Sequence, residues 1–290
     1  MSFFHNFFKM SVLYKIEDLS CAYNNSHVVL KIPKLEIEAG RTVVVLGKSG
    51  SGKSTFLETL ALMNNTFMAG SILFSPPSLN GKPPINLSGI WINYTSDGLA
   101  KIRCDHFSFI FQQTNLMPNF TVFENIYVTK MMQGFPESEC LASVKELLDR
   151  IGMSSVDANR KVTELSGGQR QRVAFARAIV SSFDVLFGDE PTGNLDEMNS
   201  LELLHLLKES LRNGKSGVEK TAIIVSHSIS LAIEFADAII VISKNDENEP
   251  GEILENNVFH KLKEKEKTEW SNGAGRFNHN DFEEHLRQLF

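Results

Sequence analysis

The chain has 290 residues, enough for one large or two modest domains and for a sizeable core without disulfides or metals. Its 42% hydrophobic and 22% charged residues argue against wholesale disorder, and 29 Lys+Arg against 35 Asp+Glu give a net charge of −6 that offers no electrostatic case for non-specific nucleic-acid binding. Cys21, Cys104 and Cys140 form no C-x-x-C pair, which points to neither a zinc site nor a disulfide framework and fits a reducing compartment.

Residues 1–10 are Phe-rich, lack a basic start and a small-residue cleavage site, and read as an N-terminal extension rather than a signal peptide. Residues 13–19 alternate loosely and 35–38 strictly, as half-buried strands do. Residues 42–46, Thr-Val-Val-Val-Leu, are a continuous β-branched run expected to be a strand buried on both faces. A glycine-rich loop follows, and residues 55–63 then have helical spacing. The order strand, loop, helix predicts an α/β sheet. Residues 75–100 carry turn signals (Ser-Pro-Pro-Ser, Gly-Lys-Pro-Pro, Thr-Ser-Asp-Gly) and read as a surface excursion.

Residues 107–111 are the next apolar strand. Residues 120–180 look mostly helical, with apolar positions 141, 144, 147, 148 and 151 on one face and a second helix over 171–179. Residues 184–188 and 221–225 are further buried strands, 201–211 and 229–235 helices, and 238–242 the strand expected to close the sheet. From residue 245 the chain is polar and charge-rich, a tail in which Phe282, Leu286 and Leu289 make one helical stripe. No internal repeat is present, and no apolar stretch approaches the roughly 20 residues that span a bilayer. These features lead to the expectation of a soluble intracellular protein.

Three places carry chemistry. Residues 47–54, Gly-Lys-Ser-Gly-Ser-Gly-Lys-Ser, fit G-x-x-x-x-G-K-[ST] between a strand and a helix. Glycines at 47, 50 and 52 let successive N–H groups turn inward around phosphate oxygens, and the following helix adds its positive end. Lys53 is placed to reach the β- and γ-phosphates, and Ser54 to offer its hydroxyl to Mg²⁺. Ser49, Ser51 and Thr55 belong to the same cradle. The strand 184–188 ends in Asp189 and Glu190, at the crevice where nucleotide phosphates sit in such sheets. Asp189 suits holding Mg²⁺ and Glu190 suits acting as general base, although two acids at a strand end can equally be solvated caps. Ser166, Gly167, Gly168 and Gln169 precede a helix and make a second anion-binding N-terminus, or a helix cap with no ligand.

Taken in order, these segments resemble the ATP-binding cassette (ABC) ATPases. Residues 47–54 match Walker A, Gln112 in Phe-Ile-Phe-Gln-Gln the Q-loop, residues 165–169 (Leu-Ser-Gly-Gly-Gln) the signature, residues 184–190 Walker B, Asn-Leu-Asp at 194–196 the D-loop, and His227 in Ile-Val-Ser-His the switch histidine. Tyr23 resembles the aromatic A-loop residue. The match covers about residues 11–243. The resemblance implies a P-loop NTPase fold: a RecA-like α/β core with an antiparallel β subdomain and an inserted helical subdomain, here about residues 113–180. It assigns residues 11–245 to one ATPase domain and leaves 246–290 as a charged C-terminal tail.

It also implies a mechanism. Two subunits, here a homodimer, sandwich two ATP molecules, each site using Walker A of one and the signature of the other. Tyr23 would stack on adenine, Gln112 would sense Mg²⁺ and the attacking water, His227 would contact the γ-phosphate, and Asp196 would couple the two sites. Read on their own, Tyr23 is an ordinary strand aromatic, His227 a structural histidine, and Gln113 as good a candidate as Gln112.

The residues Asn-Leu-Met-Pro-Asn-Phe-Thr-Val-Phe-Glu-Asn-Ile at 115–126 resemble the bacterial lipoprotein-release, macrolide-export and cell-division branch. That branch implies an ATPase on the cytoplasmic face of the inner membrane. It drives a separate membrane permease for export or extraction of a lipoprotein, lipid or drug-like cargo, or regulates a partner that moves no cargo. A soluble nucleic-acid ATPase is the remote alternative, and no nucleic-acid partner is expected. Leu116, Met117, Phe120 and Phe123 either line a groove for the permease or belong to the core of the helical subdomain. The segment 57–65 lacks the branch's glycine-containing turn, and the 75–100 stretch and the tail are longer than usual.

Overall fold

The computed structural model describes residues 11–24, 27–153, 155–193, 197–212, 219–264 and 267–289. In chain order the elements are β1 (Val12–Tyr23), β2 (His27–Glu38), β3 (Thr42–Gly47), α1 (Lys53–Leu60), β4 (Phe67–Phe74), β5 (Ile85–Asn86), α2 (Ile90–Asn93), α3 (Ser96–His106), β6 (Phe107–Ile110), α4 (Val122–Met132), α5 (Glu137–Arg150), α6 (Ser155–Ala158), α7 (Gly167–Val180), β7 (Val185–Asp189), α8 (Glu197–Arg212), β8 (Thr221–Val225), α9 (Ile229–Phe235), β9 (Ala238–Ile242), β10 (Gly251–Glu252), β11 (Val258–Glu264), β12 (Lys267–Asn272), β13 (Gly275–Phe277) and α10 (His279–Gln288).

Two sheets result. The smaller has the order β10-β2-β1-β4-β5 and the larger β13-β12-β11-β9-β3-β8-β7-β6. The run β9-β3-β8-β7-β6 is parallel throughout. Strand β3 shows why its sequence does not alternate. Val44 and Leu46 join the core on the side of α4, α5 and α7–α9, while Val43 and Val45 join the core between the two sheets. Both faces are covered, so positions 43–46 are all apolar. The mixed α/β architecture, a parallel sheet flanked by helices beside a smaller and largely antiparallel sheet, is the one the resemblance leads one to expect.

The expected helix over 55–63 starts at Lys53 and stops at Leu60, and Leu62 sits at φ 56°, which ends it. The 75–100 stretch is tied down by polar contacts. Ser78 donates from its Oγ to Asp184 Oδ2 at 2.6 Å and from its backbone N to Oδ1 at 3.1 Å, and His106 Nδ1 lies 2.8 Å from Oδ2.

The largest departure is at the C-terminus. The strand 238–242 does not close the sheet: β11 pairs antiparallel with it, and β12 and β13 extend the sheet further. Residues 246–290, expected as a tail, hold Ile253, Phe259, Trp270, Phe282 and Leu286 at 0% exposure. The lysines and glutamates around β11 and β12 are poor strand formers, so the segment carries weak local propensity. Its alternation at Phe259, Lys261 and Trp270 makes sense only once Phe282 and Leu286 pack over it. The helical stripe at Phe282 and Leu286 is present, with Asn278 capping α10 through Asp281 N at 3.0 Å. The N-terminal extension 1–10 lies outside the described residues.

Candidate functional site

The site lies at the carboxyl ends of β3, β7 and β8. After β3 the chain turns through Gly50 (φ 73°) and Gly52 (φ 99°), conformations that cost a side chain dearly, into α1. The loop is wedged from behind. A Cβ on Gly47 would stand 2.6 Å from Ser51 Oγ and 2.8 Å from Ile242 O, and a Cβ on Gly251 in β10 would stand 1.9 Å from Ser51 O. The smaller sheet therefore presses β10 against the back of the loop. Ser51 is buried, and its Oγ has no hydrogen-bond partner among the described residues.

Lys53 Nζ donates to Gly47 O at 2.8 Å and Lys48 O at 2.9 Å, which holds the cation over the loop. Burial lowers its pKa, and the nearby charges of Glu190 and Asp189 act in the opposite sense. Ser54 Oγ donates to Asp189 Oδ2 at 3.4 Å, which brings the two expected Mg²⁺ ligands together. Burial and then the Glu190 charge push the Asp189 carboxyl up, against the Ser54 hydrogen bond. A carboxylate raised in this way is costly when ionised, and a cation placed beside it relieves that cost.

Glu190 is at φ 46°, a left-handed conformation that a non-glycine residue seldom adopts. Its N donates to Val225 O at 3.1 Å, which fixes the turn to β8. Its carboxylate is held at both oxygens: His227 Nε2 lies 2.7 Å from Oε1, and Gln112 Nε2 donates to Oε2 at 3.1 Å. Residues from three separate strand ends thus meet on one carboxylate. Glu190 and His227 form part of the wall of a cleft of about 540 Å³.

The metal expected at this arrangement is Mg²⁺, and the residues present can be tested for their fit to it. No cluster of three or more His, Cys, Asp or Glu able to hold a metal occurs among the described residues. One carboxylate, Asp189, beside the Ser54 hydroxyl instead suits an ion that keeps waters and takes substrate phosphates as further ligands, so the donor set fits.

Tyr23 ends β1 with its side chain 47% exposed and its Oη 3.2 Å from Thr55 Oγ1, so the ring stands beside the first turn of α1. Ser166, Gly167, Gly168 and Gln169 open α7 on the helical subdomain. Ser166 Oγ accepts from Gln169 N at 3.3 Å and Gln169 Oε1 accepts from Ser166 N at 3.0 Å, a capping box on an exposed surface. Within this chain these four residues are a helix cap that faces outward. Asp196 and the D-loop lie outside the described residues.

Of the apolar residues considered for a groove, Leu116 and Phe123 pack on the core, and Phe120 is exposed. Met117 lines a cleft of about 430 Å³ with Met63, Phe111, Val128 and Met132. Arg177 of α7 forms part of this cleft and donates to Thr114 O at 2.9 Å and Asn115 O at 2.7 Å, which ties the segment after Gln112 to the signature helix. Nothing local in the sequence singles out Arg177 or Gly251. Gly251 follows a proline and reads there as a turn residue, with no local sign of its contact on a loop 200 positions away.

The sequence pattern of the ABC transporter family matches residues 30–193. The chain is 34% identical over 218 residues to the macrolide export ATP-binding/permease protein MacB of Pasteurella multocida, covering 75% of this chain and 30% of that protein. It is 35% identical over 238 residues to MacB of Vibrio parahaemolyticus, covering 81% and 33%. The chain thus spans about a third of the length of these relatives. Among solved structures, the dimeric post-hydrolysis state of the cassette MJ0796 with ADP and Pi matches with TM-score 0.65 and 29% identity, covering 83% of this chain and 96% of that one. CbiO1 of Clostridium perfringens, part of the ABC transporter complex cbiONQ, matches with TM-score 0.65 and 27% identity, covering 84% and 87%.

Proposed function

This chain belongs to the ABC transporter family and is an ATP hydrolase, and from that premise we propose that it powers a separate membrane permease in the export or extraction of a lipoprotein, lipid or drug-like molecule. The observation that carries this reading is the meeting of Gln112 and His227 on Glu190, beside Asp189, Ser54 and Lys53.

The N–H groups of residues 47–55 and the positive end of α1 bind the triphosphate, with Lys53 on the β- and γ-phosphates. Ser54, Asp189 and Gln112 would hold Mg²⁺, which would supply charge neutralisation when bound. Glu190 orients and deprotonates the attacking water, and His227 and Gln112 fix its carboxylate. Ser166 to Gln169 of a second copy close over the γ-phosphate, and Asp196 communicates between the two sites. ATP favours the closed dimer because it touches both halves, and hydrolysis removes that bridge.

Tyr23 stacks on the adenine. Tyr23→Ala therefore weakens ATP binding by ~1–3 kcal/mol, and GTP binding by a similar amount because a ring face tolerates any base. Titration calorimetry with both nucleotides checks this, and an unchanged ATP affinity would remove Tyr23 from the site.

The cleft around Met63, Phe111, Met117, Val128 and Met132 receives an apolar segment of the permease. No helix among the described residues is long and apolar enough to cross a membrane. Docking in this cleft would hold the ATPase peripherally on the cytoplasmic face of the inner membrane. Met132 is 73% exposed on the wall of that cleft, where a substitution reaches a docked segment without entering the core. Reconstitution with a membrane permease that co-purifies with this chain should give ATP-dependent loss of cargo from the bilayer. Met132→Glu should abolish the permease-dependent rise in ATPase rate while nucleotide affinity is retained. ATP-dependent activation of an external hydrolase with no cargo loss would instead make this a signalling ATPase.

A further inference from the structure

Helix α9 begins immediately after His227. Ser228 is its N-cap, accepting from Leu231 N at 3.3 Å. One face of the helix, Ser230, Leu231 and Glu234, lines the same cleft as Glu190 and His227. The other face, Ala232, Ile233 and Phe235, is buried in one cluster with Phe259, Trp270, Phe282 and Leu286 of the C-terminal segment, and α10 packs directly on α9. A helix of seven residues has little stability of its own, so its position is set by what grips it.

Lys261 of β11 supplies that grip. Its Nζ donates to Ile233 O at 2.8 Å and Glu234 O at 3.0 Å, and its backbone N donates to Asp237 O at 2.9 Å. A cation on the last carbonyls also complements the helix dipole. The ammonium is held in turn over an aromatic face, with Nζ 5.2 Å from the Trp270 ring centroid. Asp237 is fastened to the first residue of β3: its N donates to Thr42 O at 2.7 Å, and its Oδ2 accepts from Thr42 N at 2.9 Å. The turn that Lys261 grips is therefore fixed to the strand that leads into the phosphate loop. The far end of α9, about 10 Å away, carries His227.

We infer that the C-terminal unit β11–β13 and α10 is a brace for the helix behind His227, with Lys261 as the positioning residue that sets the His227–Glu190 contact and hence the turnover rate. The inference rests on the reading of His227 as a group that acts on ATP with Glu190. Lys261 touches neither ATP nor the attacking water.

The test uses the full chain as wild type, Lys261→Met, His227→Ala and the double variant. Kinetics with Mg-ATP and ATP affinity are measured for each. Methionine keeps an unbranched apolar side chain of similar length beside Trp270 and removes the charge and the donors. Lys261→Met should lower kcat about five- to tenfold with KM and ATP affinity within twofold of wild type. In the His227→Ala background the same substitution should change kcat by less than twofold. Should the methionine variant fail to fold, Lys261→Gln, which keeps one donor group, goes through the same cycle with the same criteria. An unchanged kcat, or an equal loss with and without His227, overturns the brace, because damage that bypasses His227 would be additive. If His227→Ala itself turns over ATP like wild type, the reading of His227 fails and the brace fails with it.

Discussion

Glu190→Gln retains ATP binding, lowers turnover by about 10²–10³-fold and accumulates an ATP-bound dimer. The substitution preserves size and leaves an amide oxygen to accept from Gln112 or His227, so the turn and the cleft are kept. It removes the proton acceptor. The strained backbone of Glu190 (φ 46°), pinned by Val225 O, aims the carboxylate away from β7 and into the cleft. His227 Nε2 at 2.7 Å and Gln112 Nε2 at 3.1 Å then occupy one oxygen each. A carboxylate held in this way is positioned rather than merely solvated, and positioning is what a general base needs. With hydrolysis stopped, the γ-phosphate that bridges two subunits persists, and the equilibrium rests on the closed dimer. Single-turnover kinetics and light scattering with ATP check both halves of this result. Wild-type turnover in the variant would show that Glu190 is not the base.

Much of this site is legible in the amino-acid sequence, because its determinants are local. The β-branched run at 42–46 must be a doubly buried strand, a glycine loop must follow, and a helix must start at a lysine and a serine. Asp189 and Glu190 are legible for the same reason, as acids at the end of an apolar run. The choice between Gln112 and Gln113 is not, since adjacent identical residues differ only in which way the strand end points them. The structure places Gln112 on Glu190.

Beyond the helical stripe at Phe282 and Leu286, the C-terminal unit is illegible for a different reason. Its apolar residues, Phe259, Trp270, Phe277, Phe282 and Leu286, are spread over nearly thirty positions among charges, and they become a core only when three strands and a helix are folded together. No window of the sequence contains that information. Its charged residues also disguise it, since a run such as Lys-Leu-Lys-Glu-Lys-Glu-Lys at 261–267 reads in the sequence as a solvated segment.

Gly251→Ala is expected to damage nucleotide binding from behind. An added Cβ would lie 1.9 Å from Ser51 O and 2.9 Å from Ile242 Cγ2, and the first of these is backbone. A side chain can rotate away from such a clash, but a carbonyl in the phosphate loop cannot without moving the loop. The strand on the other side is no freer. Gly251 is registered against Leu30 of β2, Glu252 exchanges backbone hydrogen bonds with Ser243 at 2.8 and 3.0 Å, and Ile253 behind them is fully buried. Either β10 peels off and exposes Ile253, or Ser51 shifts toward the phosphates by about an ångström. The first route costs stability at the upper end of overpacking, about 3 kcal/mol. The second misplaces the N–H groups that hold ATP, and a displacement of that size can also lower the catalysed rate about 100-fold. Gly273→Ala is the matched control, because nothing lies within 4 Å of a Cβ built there. Thermal unfolding and ATP titration on both variants decide the matter: Gly273→Ala should behave as wild type, while Gly251→Ala should lose at least tenfold in ATP affinity or melt several degrees lower. If Gly251→Ala matches wild type in both measurements, β10 does not set the position of the phosphate loop.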